Sequence, residues 1–201
     1  SDIYDILEFA CRDNEYVTIP SFIKIIKNNA FNCCFNLQNV KFLQNSELQI
    51  IDDYAYSSTR IKKFSIPPHL KKIGKHAFDG CFKLFKVDLL STSSELQSIS
   101  EYAFFDSEIE CLSIPASTVE LERGWCHGAL QLKDIIIDPN NPIYSLYDDK
   151  IIIKKSSFES EYFDILVFCK PDIQSLLIPK FIKIVEQYAF SSCNLLRKID
   201  F

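Results

Sequence analysis

The sequence predicts a β-rich α/β solenoid: repeats of 22 to 26 residues, each giving one parallel strand followed by short helical turns, with an antiparallel β insertion in the stack. Three observations predict it. A phrase, I-P-x-x-I/L-x-x-I-x-x-x-A-F-x-x-C-x-x-L-x-x-V/I-x-F/L, stands at residues 19–42, 66–89 and 178–201, and degraded copies, ELQIIDDYAYSSTRIKKFSI and ELQSISEYAFFDSEIECLSI, lie between. The residues in its Ala slot, Ala30, Ala55, Ala77, Ala103 and Trp125, follow one another at steps of 25, 22, 26 and 22, and Ala189 holds the slot in the last copy. Residues 4–42 also align without a gap to residues 163–201, with 16 of 39 positions identical.

A period of 22 to 26 residues belongs to solenoids of leucine-rich-repeat type. In L-x-x-V-x-F the residues flanking one polar position share a side of a short strand, because side chains alternate along an extended chain. Val40 with Phe42, Phe64 with Ile66, Val87 with Leu89, Leu112 with Ile114, Ile135 with Ile137 and Ile199 with Phe201 therefore face the core. Two columns face out: Asn39, Lys63, Lys86, Cys111, Asp134, Lys198 and Lys41, Ser65, Asp88, Ser113, Ile136, Asp200. Pro20, Pro67, Pro115 and Pro179 follow strands, have no N–H to give a ladder, and so end the pairing and turn the chain. The x-A-F-x-x-C stretch suits one or two helical turns, with a small Ala where backbones crowd and an aromatic ring inserted into the core. A unit this small cannot bury its apolar face alone, so stability comes from stacking on neighbours.

The 39-residue match begins upstream of the repeat phrase, where YDILEFA answers FDILVFC. That upstream segment belongs to an insertion, seen complete at residues 138–177. Asn-Pro and Asp-Asp mark its turns, and IYSLY, KIIIK and DILVF read as antiparallel strands. The expected organisation is the back half of an earlier insertion at 1–18, five repeats at 19–137, the insertion at 138–177 and a further repeat at 178–201. By the same alignment the chain begins and ends within an array.

The phrase, nearly ideal as IPPHLKKIGKHAFDGCFKLFKVDL, and the N-P-I-Y-S insertion starting at Asn141 resemble the BspA-like leucine-rich-repeat proteins, found at the surfaces of oral bacteria and some parasitic protists. The likeness covers essentially the whole chain. The departures are Trp125 and Cys126 in place of Ala-Phe, and Thr59, Ser107 and Ala129 in place of the Cys. The resemblance implies a cell-surface or secreted, non-enzymatic module binding host or matrix proteins. The other reading, from a different class, is an intracellular scaffold array located in the cytoplasm.

Composition narrows the chemistry. A net charge of -5 carried by interspersed acids and bases argues against nucleic acid and anionic membranes as partners. No apolar run approaches the roughly 20 residues that span a bilayer, so no direct membrane insertion is expected within this sequence. Of eight cysteines, Cys34, Cys81 and Cys193 share one repeat slot, where a thiol acts as a small apolar filler. Slots two rungs apart are too far for a disulfide, and all eight are expected unpaired. Cys33-Cys34 lacks metal or redox spacing. Cys126 sits in a core slot with His127 on the opposite side, so no nucleophile and base meet there. His69, His76 and the pairs Asp52-Asp53 and Asp148-Asp149 read as turn residues. Phosphate-loop, dinucleotide, zinc-protease and serine-hydrolase motifs are missing, so no catalytic, cofactor or metal residue is assigned.

Function then falls to surface. The solenoid's concave strand face offers Lys41, Lys63, Ser65, Lys86, Asp88, Ser113, Asp134 and Ile136, mixed in sign as suits a polar protein partner. The exposed turn of the insertion, SSFESEYF, offers Phe158 and Glu159 as an alternative contact.

Overall fold

The computed structural model describes residues 5–10, 13–89 and 94–201. Tyr4, where the internal match begins, and Cys11 lie outside them. Each repeat makes one turn of the solenoid with two strands, a two-residue strand in one sheet and a longer strand in another. In chain order these are β1 (Ile6–Leu7), β2 (Tyr16–Ile19), β3 (Ile25–Ile26), β4 (Asn39–Phe42), β5 (Ile50–Ile51), β6 (Lys63–Ile66), β7 (Lys72–Ile73), β8 (Lys86–Leu89), β9 (Ser98–Ile99), β10 (Cys111–Ile114), β11 (Glu120–Leu121) and β12 (Asp134–Ile137). The short strands stack in parallel as a six-stranded sheet, β1-β3-β5-β7-β9-β11.

The longer strands carry the predicted register, except that Ile199 and Phe201 of the last repeat, expected to face the core, are exposed. Phe64 pairs with Val87 and Ile66 with Leu89 between β6 and β8, and Leu112 pairs with Ile135 between β10 and β12. Phe64, Ile66, Val87, Leu112, Ile114 and Ile135 are buried, with Val40, Phe42 and Ile137 partly so. One expectation fails here: the longer strands do not form one continuous sheet. They divide into β2-β4 and β6-β8-β10-β12, with no ladder between β4 and β6.

A second expectation is corrected. Among the described residues there is no helix, and x-A-F-x-x-C folds as turns instead. Two residues per repeat adopt left-handed backbone: Asn29, Tyr54, His76 and Tyr102 with φ of 61°, 56°, 53° and 54°, then Cys33, Ser58, Gly80 and Asp106 with φ of 59°, 58°, 64° and 47°. Left-handed residues four positions apart break any right-handed helix. Alternate amides in this arc donate to the next repeat, and those between make i→i−3 turn bonds. Phe31, Tyr56, Phe78 and Phe104 donate to the carbonyls of Ala55, Ala77, Ala103 and Trp125 at 2.7–2.8 Å. Bonds to the next repeat replace the i→i−4 bonds that a helix would make. The side chains of the same four residues stack as a ring column, with centroids 4.8, 5.4 and 5.3 Å apart. Where the phrase places Gly74, a Cβ would lie 2.6 Å from the Asp52 carbonyl carbon, so this backbone contact requires glycine.

The insertion forms β13 (Tyr144–Tyr147), β14 (Ile151–Lys155) and β15 (Phe163–Cys169), antiparallel in that order. The last repeat adds β16 (Ser175–Leu177), β17 (Ile184–Val185) and β18 (Lys198–Asp200). Its pairings reproduce those of the first repeat. Ile6 pairs with Ile25 as Ile165 pairs with Ile184, and Tyr16 with Asn39 as Ser175 with Lys198, every position displaced by 159. Buried Asn141 joins the insertion to the stack. Its amide nitrogen donates to the Pro115 and Thr118 carbonyls, both at 2.8 Å, and its oxygen accepts from the Ile143 and Tyr144 amides at 2.9 and 2.7 Å.

Candidate functional site: the strand face and its seams

How far the longer strands zip together depends on the residue that follows each one. After β4 comes Leu43, whose amide donates to the Ile19 carbonyl at 3.4 Å, and β2 and β4 pair over four residues. After β12 comes Asp138, whose amide donates to Ile114 at 2.9 Å, and β10 and β12 pair over four residues. After β6 and β10 the position is proline, Pro67 and Pro115, with no N–H to close the seam. There β8 and β10 pair over only Cys111 with Lys86 and Leu112 with Val87, and β4 and β6 do not pair. At β4/β6 the chain stays zipped only at the base, where the Arg60 and Lys62 amides donate to Leu37 and Gln38 at 3.0 and 3.2 Å.

Each loosened seam lies beside a cleft. The first, of about 510 Å³, is lined by Asn39–Ser46 of β4 and its exit and by Ser65–Pro68. Its walls include Phe42, Leu43, Ile66, Pro67 and Pro68, with Lys41 and Ser65 at its polar positions. The second, of about 460 Å³, is lined by residues of β8, β10 and β12 with Asp149 and Lys170 of the insertion.

These clefts gather most of the candidates. Lys41 and Ser65 line the first, and Lys86, Asp88, Ser113, Asp134 and Ile136 line the second. Lys63 lines neither; its ammonium stands 5.3 Å from the centre of the Phe85 ring. Phe158 and Glu159 are exposed in the turn after β14 and line neither cleft.

Charges on the face are mostly neutralised locally. Lys86 pairs with Asp88 at 3.0 Å, and buried Lys170 pairs with Asp149 at 2.7 Å. Asp134 instead accepts from the Cys111 thiol at 3.4 Å, and burial, together with that contact, holds the thiol above its usual pKa. Beside it Ile136 is 65% exposed, the one aliphatic residue in the outward columns. Sequence reasoning missed the apolar walls and the contribution of Asp149 and Lys170. The signal for the walls was present in the alternation of proline with Leu43 and Asp138 after successive strands.

The remaining chemistry is structural. Cys33, Cys81, Cys111, Cys126, Cys169 and Cys193 carry free thiols. Burial pushes the Cys81 thiol up to about 11, and it donates to the Tyr56 carbonyl at 3.2 Å. Cys126 is buried and raised for the same reason, while His127 packs between Phe105 and Tyr188 with its Nδ1 buried and without a hydrogen bond. His76 stacks on Tyr54 and its Nδ1 meets Asp79 at 2.8 Å; His69 meets Glu95 at 2.8 Å. Among the described residues no group of three or more His, Cys, Asp or Glu could hold a metal ion, and no helix is long and apolar enough to cross a membrane.

Comparison with known proteins agrees with this architecture. The pneumococcal vaccine antigen PcpA superposes with a TM-score of 0.81 at 23% identity, over 93% of this chain and 50% of its own. A leucine rich cell surface protein from Faecalibacterium prausnitzii A2-165 gives 0.68 at 20% identity, over 92% of this chain and 60% of its own. A leucine-rich repeat protein from Eubacterium ventriosum gives 0.60 at 21% identity, over 93% of this chain and 41% of its own. The chain thus spans about half the length of these structures, and no curated protein matches it in sequence. The family model for the BspA type leucine rich repeat region matches six copies, over residues 7–133, 49–161 and 162–201. The chain belongs to the BspA-type leucine-rich-repeat family.

Proposed function

We propose that this chain is a non-enzymatic protein-binding module of a cell-surface or secreted BspA-type protein, and that its partner is a host or extracellular-matrix protein held on the outward strand face. The observation that carries the reading is the second cleft. There Ile136 offers an exposed apolar anchor, flanked by Ser113 and by Asp134, which accepts from a weakly donating thiol. An apolar centre with a polar rim is the usual anatomy of a protein interface. Likeness to a vaccine antigen and to a cell surface protein supports the location.

The test is capture of proteins from a host extracellular-matrix preparation by the immobilised chain, comparing the native chain with the double variant Lys86→Glu, Ile136→Asp. The face reading expects capture to fall at least about tenfold, the cost of losing one well-buried anchor. Retention by that variant, with loss in the double variant Phe158→Ala, Glu159→Ala, moves the site to the insertion.

A further inference from the structure

The first cleft lies where the ladder of longer strands breaks between β4 and β6. Where β2 meets β4 and where β10 meets β12, the strand that arrives next supplies an amide after its last residue, and that amide closes on Ile19 or Ile114. The counterpart acceptor at the β4/β6 seam is the Phe42 carbonyl, and the residue in the donor position is Pro67. A second proline, Pro68, follows and holds Pro67 in extended backbone. The seam therefore cannot make its closing bond. The Phe42 carbonyl thus lacks the closing donor that the Ile19 and Ile114 carbonyls have. Strand edges with unpaired ladder groups accept added strands.

Its lining says what kind of strand. The walls carry Phe42, Leu43, Ile66 and the two prolines, while Lys41 and Ser65 are the outward residues of the flanking strands. An entering strand would meet apolar groups with one set of alternate side chains and polar groups with the other. The strands that close their seams in this molecule have that pattern: β12 reads KDIIIDP from Lys133, with Ile135 and Ile137 turned inward and Asp138 supplying the closing amide.

Resting on the strand-face reading above, we infer that the β4/β6 cleft receives an extended segment of the partner protein, aliphatic at alternate residues and without proline at its exit, as a short added strand. Recognition is of backbone first and side chain second. The cleft thus tolerates different sequences of one pattern and rejects segments that cannot donate amide hydrogens.

The probe is a fluorescent, N-acetylated, C-amidated peptide copying residues 133–138, KDIIID, titrated with the intact chain. Saturable binding is expected, weakened at least about tenfold when the peptide amides of the second isoleucine and final aspartate are N-methylated, since each removes a ladder bond. Pro67→Ala restores the missing donor, lets the seam close, and is expected to weaken binding to a similar extent without lowering the melting temperature. Pro115→Ala, at the other seam, leaves it unchanged. Absence of saturable binding, equal binding of the N-methylated peptide, or a loss with Pro115→Ala but not with Pro67→Ala overturns the inference. If the peptide result fails while matrix capture still depends on Lys86 and Ile136, the strand-face reading stands and only this cleft is removed from it.

Discussion

At the scale of single residues, two buried polar side chains show opposite solutions to one problem. Asn141 makes four hydrogen bonds and fixes the insertion to the last turn of the stack. Asn141→Ala leaves two carbonyls and two amides without their partner and is expected to cost about 3 kcal/mol, read as a lower denaturant midpoint. Tyr56 takes the aromatic slot with a hydroxyl that is fully buried and has no partner. Tyr56→Phe keeps the ring column and removes the stranded hydroxyl, so stability is expected to rise by about 1 kcal/mol. A fall would mean that the hydroxyl has a partner. Phe78 lies between Tyr56 and Phe104 in the same column; Phe78→Ala is expected to cost about 3–5 kcal/mol, against about 0.5 kcal/mol or less for exposed Lys41→Ala. Thiol chemistry follows burial: native Cys81 and Cys126 should resist alkylation at neutral pH, because the reactive thiolate is disfavoured in the core. Modification of either in the native state at the rate of a denatured thiol would contradict their placement.

At the scale of elements, the longer strands were legible in the sequence, whereas the two-residue strands and the turns of the A-F-x-x-C arc were not. Alternation fixes which face of a strand is buried, so Phe64, Val87, Leu112 and Ile135 could be assigned from spacing alone. The A-F-x-x-C arc has helical spacing too, but every second amide is claimed by the next repeat, a contact that no local pattern reveals. Left-handed Tyr54 and Tyr102 are also of a type that ordinarily avoids that conformation, so composition gave no warning there. The candidate site was half legible. Outward positions followed from period two, whereas the clefts depend on which seams fail to close. Gly74 tests the element-level packing: Gly74→Ala drives a methyl into the Asp52–Asp53 backbone and is expected to destabilise by more than the helix-favouring character of Ala could offset. An unchanged melting temperature would show that the two repeats are not in such close contact.

At the scale of the whole molecule, the displacement of 159 residues relates not only letters but pairings, so the insertion strand β15 meets β17 as β1 meets β3. The long strands alternate between closed and loosened seams according to whether proline follows the arriving strand. That alternation is the central claim, because the clefts and the proposed binding follow from it. It is tested most directly by amide hydrogen exchange resolved to single residues. The Ser65 amide faces the unpaired β4/β6 seam, while those of Asp88 and Ile136 lie in strands paired over four residues on the corresponding side. Exchange at Ser65 is expected to be faster than at Asp88 and Ile136 by at least about tenfold under native conditions, since open and paired strand amides differ in protection. Equal protection of the three amides would show the seam closed and would contradict the account.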